Sequence, residues 1–579
     1  MTEPHGGDRI AEVLRAHGVP FLFTLCGGHI SPILTAARQR GIRIVDVRDE
    51  ATAVFAADAA ARLTGIPGVA AVTAGPGLTN ALTALRNAQL AQSSLVLLGG
   101  AAPTALRRRG ALQDIDQIAT VRPHVKKAVA ITRVRDLAPA VNEALALARS
   151  GVPGPVFVEC PVDLLYPEAT VREWYLAASG KAKGLAGKAI AMYLQLHVRR
   201  MFEGAEGSAT PLTAAPVVPE PSDGTVRRAG ELLARSERPV LLVGSQAMTL
   251  SHEAGRIAAA VEAIGVPTYL SGMGRGLLGR DHALQLRHQR RAALKEADCV
   301  ILAGAPCDFR LDYGKHIGRG ATVIAANRSR REARLNRRPA LLVEGDAGLF
   351  LCQLAGLAAG HRDRIAPWFN RLKERDAARE AEIELGAEVE GELVNPIRLC
   401  REIERAIGDN SVLVADGGDF VATAAYTVRP RGPLGWLDPG VFGTLGVGAG
   451  FAIGARLCRP DSEIWLLLGD GATGWSLSEF DSLARHGLPV IAVVGNDAGW
   501  TQIAREQVKL LHDDAGTVLT RADYHKVVEG FGAEGILVRH TSEVRPALQR
   551  ARAAAREGHA VLVNVWLDKT DFREGSISM

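Results

Sequence analysis

Short, uninterrupted apolar runs, each closed by a Gly- or Pro-containing turn and followed by an amphipathic stretch, recur along the whole of this chain. They fall at residues 21–25, 42–47, 69–73, 95–99 and 156–160, then at 240–243, 268–270, 299–303 and 322–325, then at 411–415, 464–468, 490–494 and 560–565. A strand with one solvated face alternates apolar and polar residues, whereas a strand covered on both faces reads as a continuous apolar run. Strands separated by helix-length segments must cross over, and so pair in parallel. The pattern predicts an α/β protein built of doubly wound parallel sheets.

At 579 residues the chain is far longer than one hydrophobic core organises, and the runs gather in three groups. We expect a first α/β domain over 1–168 and an inserted helix with a Pro/Ala/Thr-rich linker over 169–223. A central domain over 224–360, a charged linker helix over 361–394 and a third domain over 395–579 follow, the outer two being alike. The formal charge of +5 is small for this length and excludes nucleic acid as the obvious partner. The seven cysteines lack paired metal-ligand spacing; Cys26, Cys160, Cys299 and Cys352 sit in apolar contexts and read as small core residues, and a reducing cytoplasm is the simplest compartment. The first residues are polar, without an apolar signal core. No uncharged run is long enough to span a bilayer, so no membrane partner is expected.

Chemistry concentrates between residues 464 and 500. One apolar run ends in Gly469-Asp470-Gly471-Ala472 and the next in Gly495-Asn496-Asp497-Ala498-Gly499. In a parallel sheet both ends open on one edge, where α/β proteins bind ligands. Asp470 and Asp497 then offer two hard oxygen ligands and the Gly499 carbonyl a third, a set that suits Mg2+ completed by phosphate oxygens and water. The glycines let backbone N–H groups approach a diphosphate at a helix start. Alone, Gly-Asp-Gly reads as a turn; two acidic strand ends at this spacing are much rarer.

With these motifs the chain resembles the thiamine diphosphate enzymes of the acetolactate synthase and 2-hydroxyacyl-CoA lyase group. The resemblance implies pyrimidine-binding, central and diphosphate-binding domains, in that order. It makes Asp470 the first metal ligand and Asp497 the second, where Asn is more frequent. It assigns Glu50 to the cofactor's N1′, to favour the imino tautomer; from the residues alone, Glu50 reads as an acid suited to a helix start. Thr73, Pro76 and Asn80 belong to the turn beside the pyrimidine, and Gln113 falls near the reacting centre. The Gly443 carbonyl and Leu445 hold the cofactor bent. Gly417 and Gly418 contact the diphosphate, with Gly471, Ala472 and Trp500 beside the metal; Asp419 departs from the uncharged residue common at its position. Glu50 of one subunit is expected to meet Asp470 and Asp497 of another, in a homodimer or homotetramer.

The segments at 25–32, 436–440 and 570–579 look most similar to the 2-hydroxyacyl-CoA lyase branch. That branch cleaves a 2-hydroxyacyl-CoA into formyl-CoA and an aldehyde one carbon shorter; in reverse it joins formyl-CoA to an aldehyde or ketone. CoA, or its ADP part, needs cations in the central domain, and Arg275 and Arg328 are candidates; a solvated arginine-rich helix is the plain alternative for 328–338. His29, at a Gly-Gly turn, is placed to orient the substrate hydroxyl, or else makes a structural hydrogen bond. Trp500 and Gln502 border the substrate channel, unless Trp500 simply packs. Ser576 lies in a polar tail that closes over the site if the tail is a lid. One rival reading is an acetolactate synthase acting on pyruvate. The stretch Ala498–Gln502 lacks the Glu-Gln-Gly pattern of those enzymes, so FAD is not expected. The other rival is a catalytically silent cofactor-binding protein, against which stand Glu50 and both metal ligands.

Overall fold

A computed structural model describes residues 5–179, 184–205, 216–357 and 362–574. The chain forms two compact units, one of residues 1–61 with 66–217, the other of 62–65 with 218–579. The first unit carries one sheet, from β1 (Phe21–Thr24), β2 (Arg43–Asp46), β3 (Gly68–Val72), β4 (Leu95–Ala101), β5 (Lys127–Ala130) and β6 (Val156–Pro161). The second carries two. The central sheet comprises β7 (Pro239–Val243), β8 (Thr268–Leu270), β9 (Gln285–Leu286), β10 (Cys299–Ala303), β11 (Thr322–Asn327) and β12 (Leu341–Glu344). The third comprises β13 (Ser411–Ala415), β14 (Trp436–Leu437), β15 (Glu463–Gly469), β16 (Ile491–Asn496), β17 (Glu534–Val538) and β18 (Val561–Trp566).

All three sheets are parallel and six-stranded. Their orders are β2-β1-β3-β4-β6-β5, β12-β11-β10-β7-β8-β9 and β14-β13-β15-β16-β18-β17. The first and third orders are the same once each sheet is numbered from its own first strand. The central order is that of dinucleotide-binding folds. Interior strands such as β4 and β13 are buried throughout, as continuous apolar runs require. The strands that the apolar runs do not announce, β5, β9, β12, β14 and β17, all lie at sheet edges. An edge strand has one neighbour and is often short or half-exposed, so its sequence carries a weaker signal; every residue of β5 is at least partly solvated.

Each sheet is packed between helices. In the first unit Leu22, Val96, Leu98 and Val158 meet Ile10, Leu14, Ile33 and Leu145. In the third sheet Leu413, Trp465, Leu467 and Val493 meet Ile403, Leu548 and Ala551. Helices Glu168–Ser179 and Gly184–Phe202 belong to the first unit, with Val198 and Met201 buried in its core. Helix Arg362–Ala387 is packed rather than free: Trp368 lies in the central core and donates to the Pro239 carbonyl at 3.1 Å. Among the described residues no helix is long and apolar enough to cross a membrane.

Candidate active site

In the third sheet the strand order reverses between β13 and β15, and the residues just beyond their C-terminal ends form an acidic cup. Asp416, beyond β13, is buried and accepts from the Gly446 N–H at 3.0 Å and from the Gly448 N–H at 2.7 Å. Burial pushes its carboxyl up to about 7 against those two bonds. These contacts hold the 443–448 segment over the sheet. Leu445 enters the space that Gly417 leaves: a β-carbon there would stand 2.2 Å from its Cδ2. Asp470 opens helix Asp470–Ser476, accepting from Gly471 N–H at 2.8 Å and from Gly499 N–H at 3.0 Å. Burial, and then the neighbouring Asp497, push Asp470 up to about 6, and burial raises Asp497 as well. Asp419 pairs with Arg505 at 2.9 Å through one oxygen, while its other oxygen is buried without a hydrogen-bond partner. Gly418, Asp419, Gly443, Leu445, Asp470, Gly471, Ala472, Asp497, Gly499, Trp500 and Gln502 all line one cavity of about 280 Å³.

This cup fits a metal-held diphosphate. Two carboxylates made reluctant to ionise by burial, and by the neighbouring charges of Asp497 on Asp470 and of Asp419 on Asp497, call for a cation. No group of three or more His, Cys, Asp or Glu side chains placed to hold a metal occurs among the described residues. A pair of carboxylates with one backbone carbonyl leaves the remaining positions of an octahedron to phosphate and water.

The first sheet reverses at the corresponding place, between β1 and β3. Glu50, 4% exposed, opens helix Glu50–Thr64 just after β2 and accepts from Asn80 Nδ2 at 3.0 Å. Asn80 lies on helix Pro76–Ala91, which also carries Gly77; a β-carbon on Gly77 would stand 3.4 Å from Glu50 Oε1 and 2.9 Å from Thr73 Cγ2. The Thr73 hydroxyl meets His29 Nδ1 at 3.0 Å. Burial lowers the His29 pKa, favouring neutral imidazole. The Gln113 backbone, itself at φ 62°, packs against Gly75. Glu50, His29, Thr73, Pro76, Asn80 and Gln113 are thus gathered on one sheet edge.

Comparison with known proteins decides the family. Profiles of the thiamine pyrophosphate enzymes match residues 4–120 (N-terminal TPP binding domain), 226–354 (central domain) and 416–565 (C-terminal TPP binding domain). The human "2-hydroxyacyl-CoA lyase 2" is 51% identical over 99% of this chain and 92% of its own length. The chain belongs to the thiamine pyrophosphate enzymes. The Caenorhabditis elegans "2-hydroxyacyl-CoA lyase 2" is 48% identical over 100% of this chain and 92% of its own. A "probable acetolactate synthase" of Mycobacterium bovis is 35% identical over 97% of this chain and 96% of its own.

In this thiamine pyrophosphate enzyme the two arginines singled out in the central domain are already engaged. Arg275 donates to the Ala425 carbonyl and lies over the Trp436 ring, 5.0 Å from its centroid. It also borders a cavity of about 270 Å³ with Arg287, Arg290, Arg291 and His316. Arg328 forms a fully buried ion pair with Asp346 at 2.8 Å, so its guanidinium turns inward rather than toward a phosphate. Ser576 lies outside the described residues. Of the cysteines read as core, Cys160 and Cys299 are buried, but Cys26 is exposed, because it lies beyond the end of β1 rather than within the strand. Two partners in the acidic cup were not singled out from sequence. Asp416 directly precedes Gly417 and Gly418 at the end of an apolar run, which is its one sequence signal, and Arg505 carries no local signal, because its contact with Asp419 spans 86 positions.

Proposed function

We propose that this enzyme is a 2-hydroxyacyl-CoA lyase that cleaves 2-hydroxyacyl-CoA to formyl-CoA and an aldehyde, using thiamine diphosphate held through Mg2+. What carries the reading is the extent of the likeness: 51% identity to a 2-hydroxyacyl-CoA lyase over nearly the entire chain, against 35% to an acetolactate synthase. The gathering of the expected residues at the two sheet edges supports it.

When bound, the cofactor supplies a carbanion at its thiazolium C2 and accepts the electron pair of the cleaved carbon–carbon bond. Asp470, Asp497 and the Gly499 carbonyl hold Mg2+, and Gly418, Gly471 and Ala472 face the diphosphate. Gly443 and Leu445, which line the same cavity, would lie against the bound cofactor and support it. Glu50 exchanges a proton with the pyrimidine N1′, oriented by Asn80. Neutral His29, held by Thr73, orients the substrate hydroxyl and takes its proton. Gln113, Trp500 and Gln502 border the substrate. The CoA phosphates are assigned to the basic cavity of Arg287, Arg290, Arg291 and His316, bordered by Arg275; the buried pairing of Arg328 removes it from this role.

Exposed apolar side chains at both sheet edges support a homodimer or homotetramer in which different subunits supply Glu50 and the metal ligands. Ile115 is 41% exposed near Gln113, and Trp475 and Ile503 are 57% and 48% exposed at the acidic cup. Seven free cysteines, with no disulfide among them, support a cytoplasmic setting. The decisive experiment incubates the protein with thiamine diphosphate, Mg2+ and 2-hydroxyacyl-CoAs of several lengths. Formyl-CoA and the shortened aldehyde are expected by mass spectrometry. Acetolactate from pyruvate in their place would overturn the proposal.

A further inference from the structure

Gln117 opens the short helix Gln117–Val121 of the first unit, and its side chain is 2% exposed. Its amide makes three hydrogen bonds to separate strand ends. Oε1 accepts from the Gly75 N–H at 3.1 Å. Nε2 donates to the Gly100 carbonyl at 3.0 Å and to Glu159 Oε2 at 3.0 Å. The other oxygen of Glu159 takes Arg107. A primary amide has two donors and one acceptor oxygen, and only this orientation satisfies all three partners. A flipped amide would set N–H against N–H and oxygen against carbonyl and carboxylate. Gln117 therefore ties the turn after β3 to β4 and β6 in one defined geometry.

Two of the three ties, those to Gly75 and Gly100, end beside residues of the proposed chemistry. Gly75, at φ 63°, is the left-handed residue that starts helix Pro76–Ala91 and so places Asn80 against Glu50. Gly75 also abuts Gln113: a β-carbon on it would stand 2.7 Å from the Gln113 carbonyl oxygen. Gly100 lies under His29, with a β-carbon position 2.5 Å from the His29 Cβ. Loosening one amide would shift all three groups, and displacements of about 1 Å cost such sites up to about 100-fold in rate.

We propose that Gln117 is a positioning residue for the reaction: acting through Gly75 and Gly100, it fixes the relative placement of Glu50, Gln113 and His29. The inference rests on the assignment of Glu50 made above.

The test uses full-length protein loaded with thiamine diphosphate and Mg2+. Q117M removes the amide at similar volume. Q117E keeps an acceptor for Gly75 but sets a carboxyl against Glu159 and Arg107. For Q117M we expect kcat lower by about 100-fold at unchanged KM, with exchange of the cofactor C2 proton, read by NMR, slowed in step. The thiamine diphosphate Kd, from tryptophan quenching, should stay within about threefold, because the acidic cup on the third sheet carries that affinity. For Q117E we expect kcat to rise as pH falls, as the introduced carboxyl gains a proton and donates again to Glu159; wild type shows no such rise. A folded, cofactor-saturated Q117M with kcat within about twofold of wild type, or one changed only in KM, would overturn the proposal. Should Q117M fail to fold, Q117E decides the matter: a pH profile parallel to wild type overturns it. E50Q is measured alongside. An active E50Q removes the Glu50 assignment and the positioning role together, whereas an inactive E50Q beside a fully active Q117M removes the positioning role alone.

Discussion

At the strand reversal of the first sheet stand His29, Thr73 and one acid, Glu50. At the same reversal of the third sheet stand Asp416 and Asp470, with Asp419 and Asp497 beside them. The strand order is shared and the chemistry is not. The first edge has one proton-exchanging carboxylate clasped by an amide, while the third is an acidic cup with glycines at its rim. Identical topology fixes where a ligand meets the sheet, and the few residues after each strand decide what it meets.

Substitutions can break either side of that contrast. The largest effect is expected from E50Q, which keeps the shape of the side chain but removes its proton exchange. Turnover should fall by about 1,000-fold with the thermal midpoint unchanged, as steady-state assay and a melting curve will show. Near-normal turnover would sink the assigned role. Next comes D470A, which strikes the acidic cup instead. Losing a charged ligand worth about 3 kcal/mol should weaken cofactor binding by roughly 100-fold, in a manner that extra Mg2+ only partly offsets. Fluorescence titration checks this, and an unchanged Kd would refute the metal assignment.

A smaller effect is expected from G417A, where the new methyl takes the space of Leu445. Gly417, expected at the diphosphate, instead lies against Leu445 and is not among the residues lining the acidic cup, so we expect kcat to fall by about tenfold with diphosphate affinity little changed. A loss of affinity alone would refute that reading.

The smallest effect tests a region outside both edges. Burial would raise the Glu380 pKa, but its bond to His288 and the nearby Arg287 and Arg401 outweigh burial and hold it at about 2, against an ordinary 4.5. The native carboxyl therefore ionises at lower pH than the unfolded one. This network stabilises fully above about pH 4.5, and the stabilisation is lost as pH falls from there toward 2. E380Q should flatten the acid limb of a denaturation profile measured over that window. An identical acid limb would show that the network contributes nothing to folding.

Much of this was legible in the chain. Interior strands announce themselves because burial on both faces demands unbroken apolar runs, and Asp470 and Asp497 stand out because each directly follows such a run. Edge strands such as β5 and β17 escaped because half-solvated residues need no such pattern. The reach of Gln117 to Gly75 and Glu159, each 42 positions away, was invisible for another reason: hydrogen bonds across a sheet edge depend on tertiary placement and leave no local spacing. Sequence offers Arg275 and Arg328 as candidate CoA contacts because it does not reveal that Trp436 and Asp346 lie against them.

The central sheet bears on redesign. It has the strand order of dinucleotide-binding folds, yet the turns after β7 and β10 touch at its reversal, where a β-carbon on Gly244 would stand 2.5 Å from the Gly304 carbonyl oxygen. Beside them Gln246 bonds Asn327 at 2.9 Å and Arg328 pairs with Asp346. Anyone grafting a nucleotide cofactor onto this sheet would face a welded seam. Removing Arg328 alone leaves the Asp346 charge buried at a cost of about 3–5 kcal/mol, and Asp346 also caps the Leu349 N–H at 2.9 Å, so a redesign has to replace the pair together and supply a new cap.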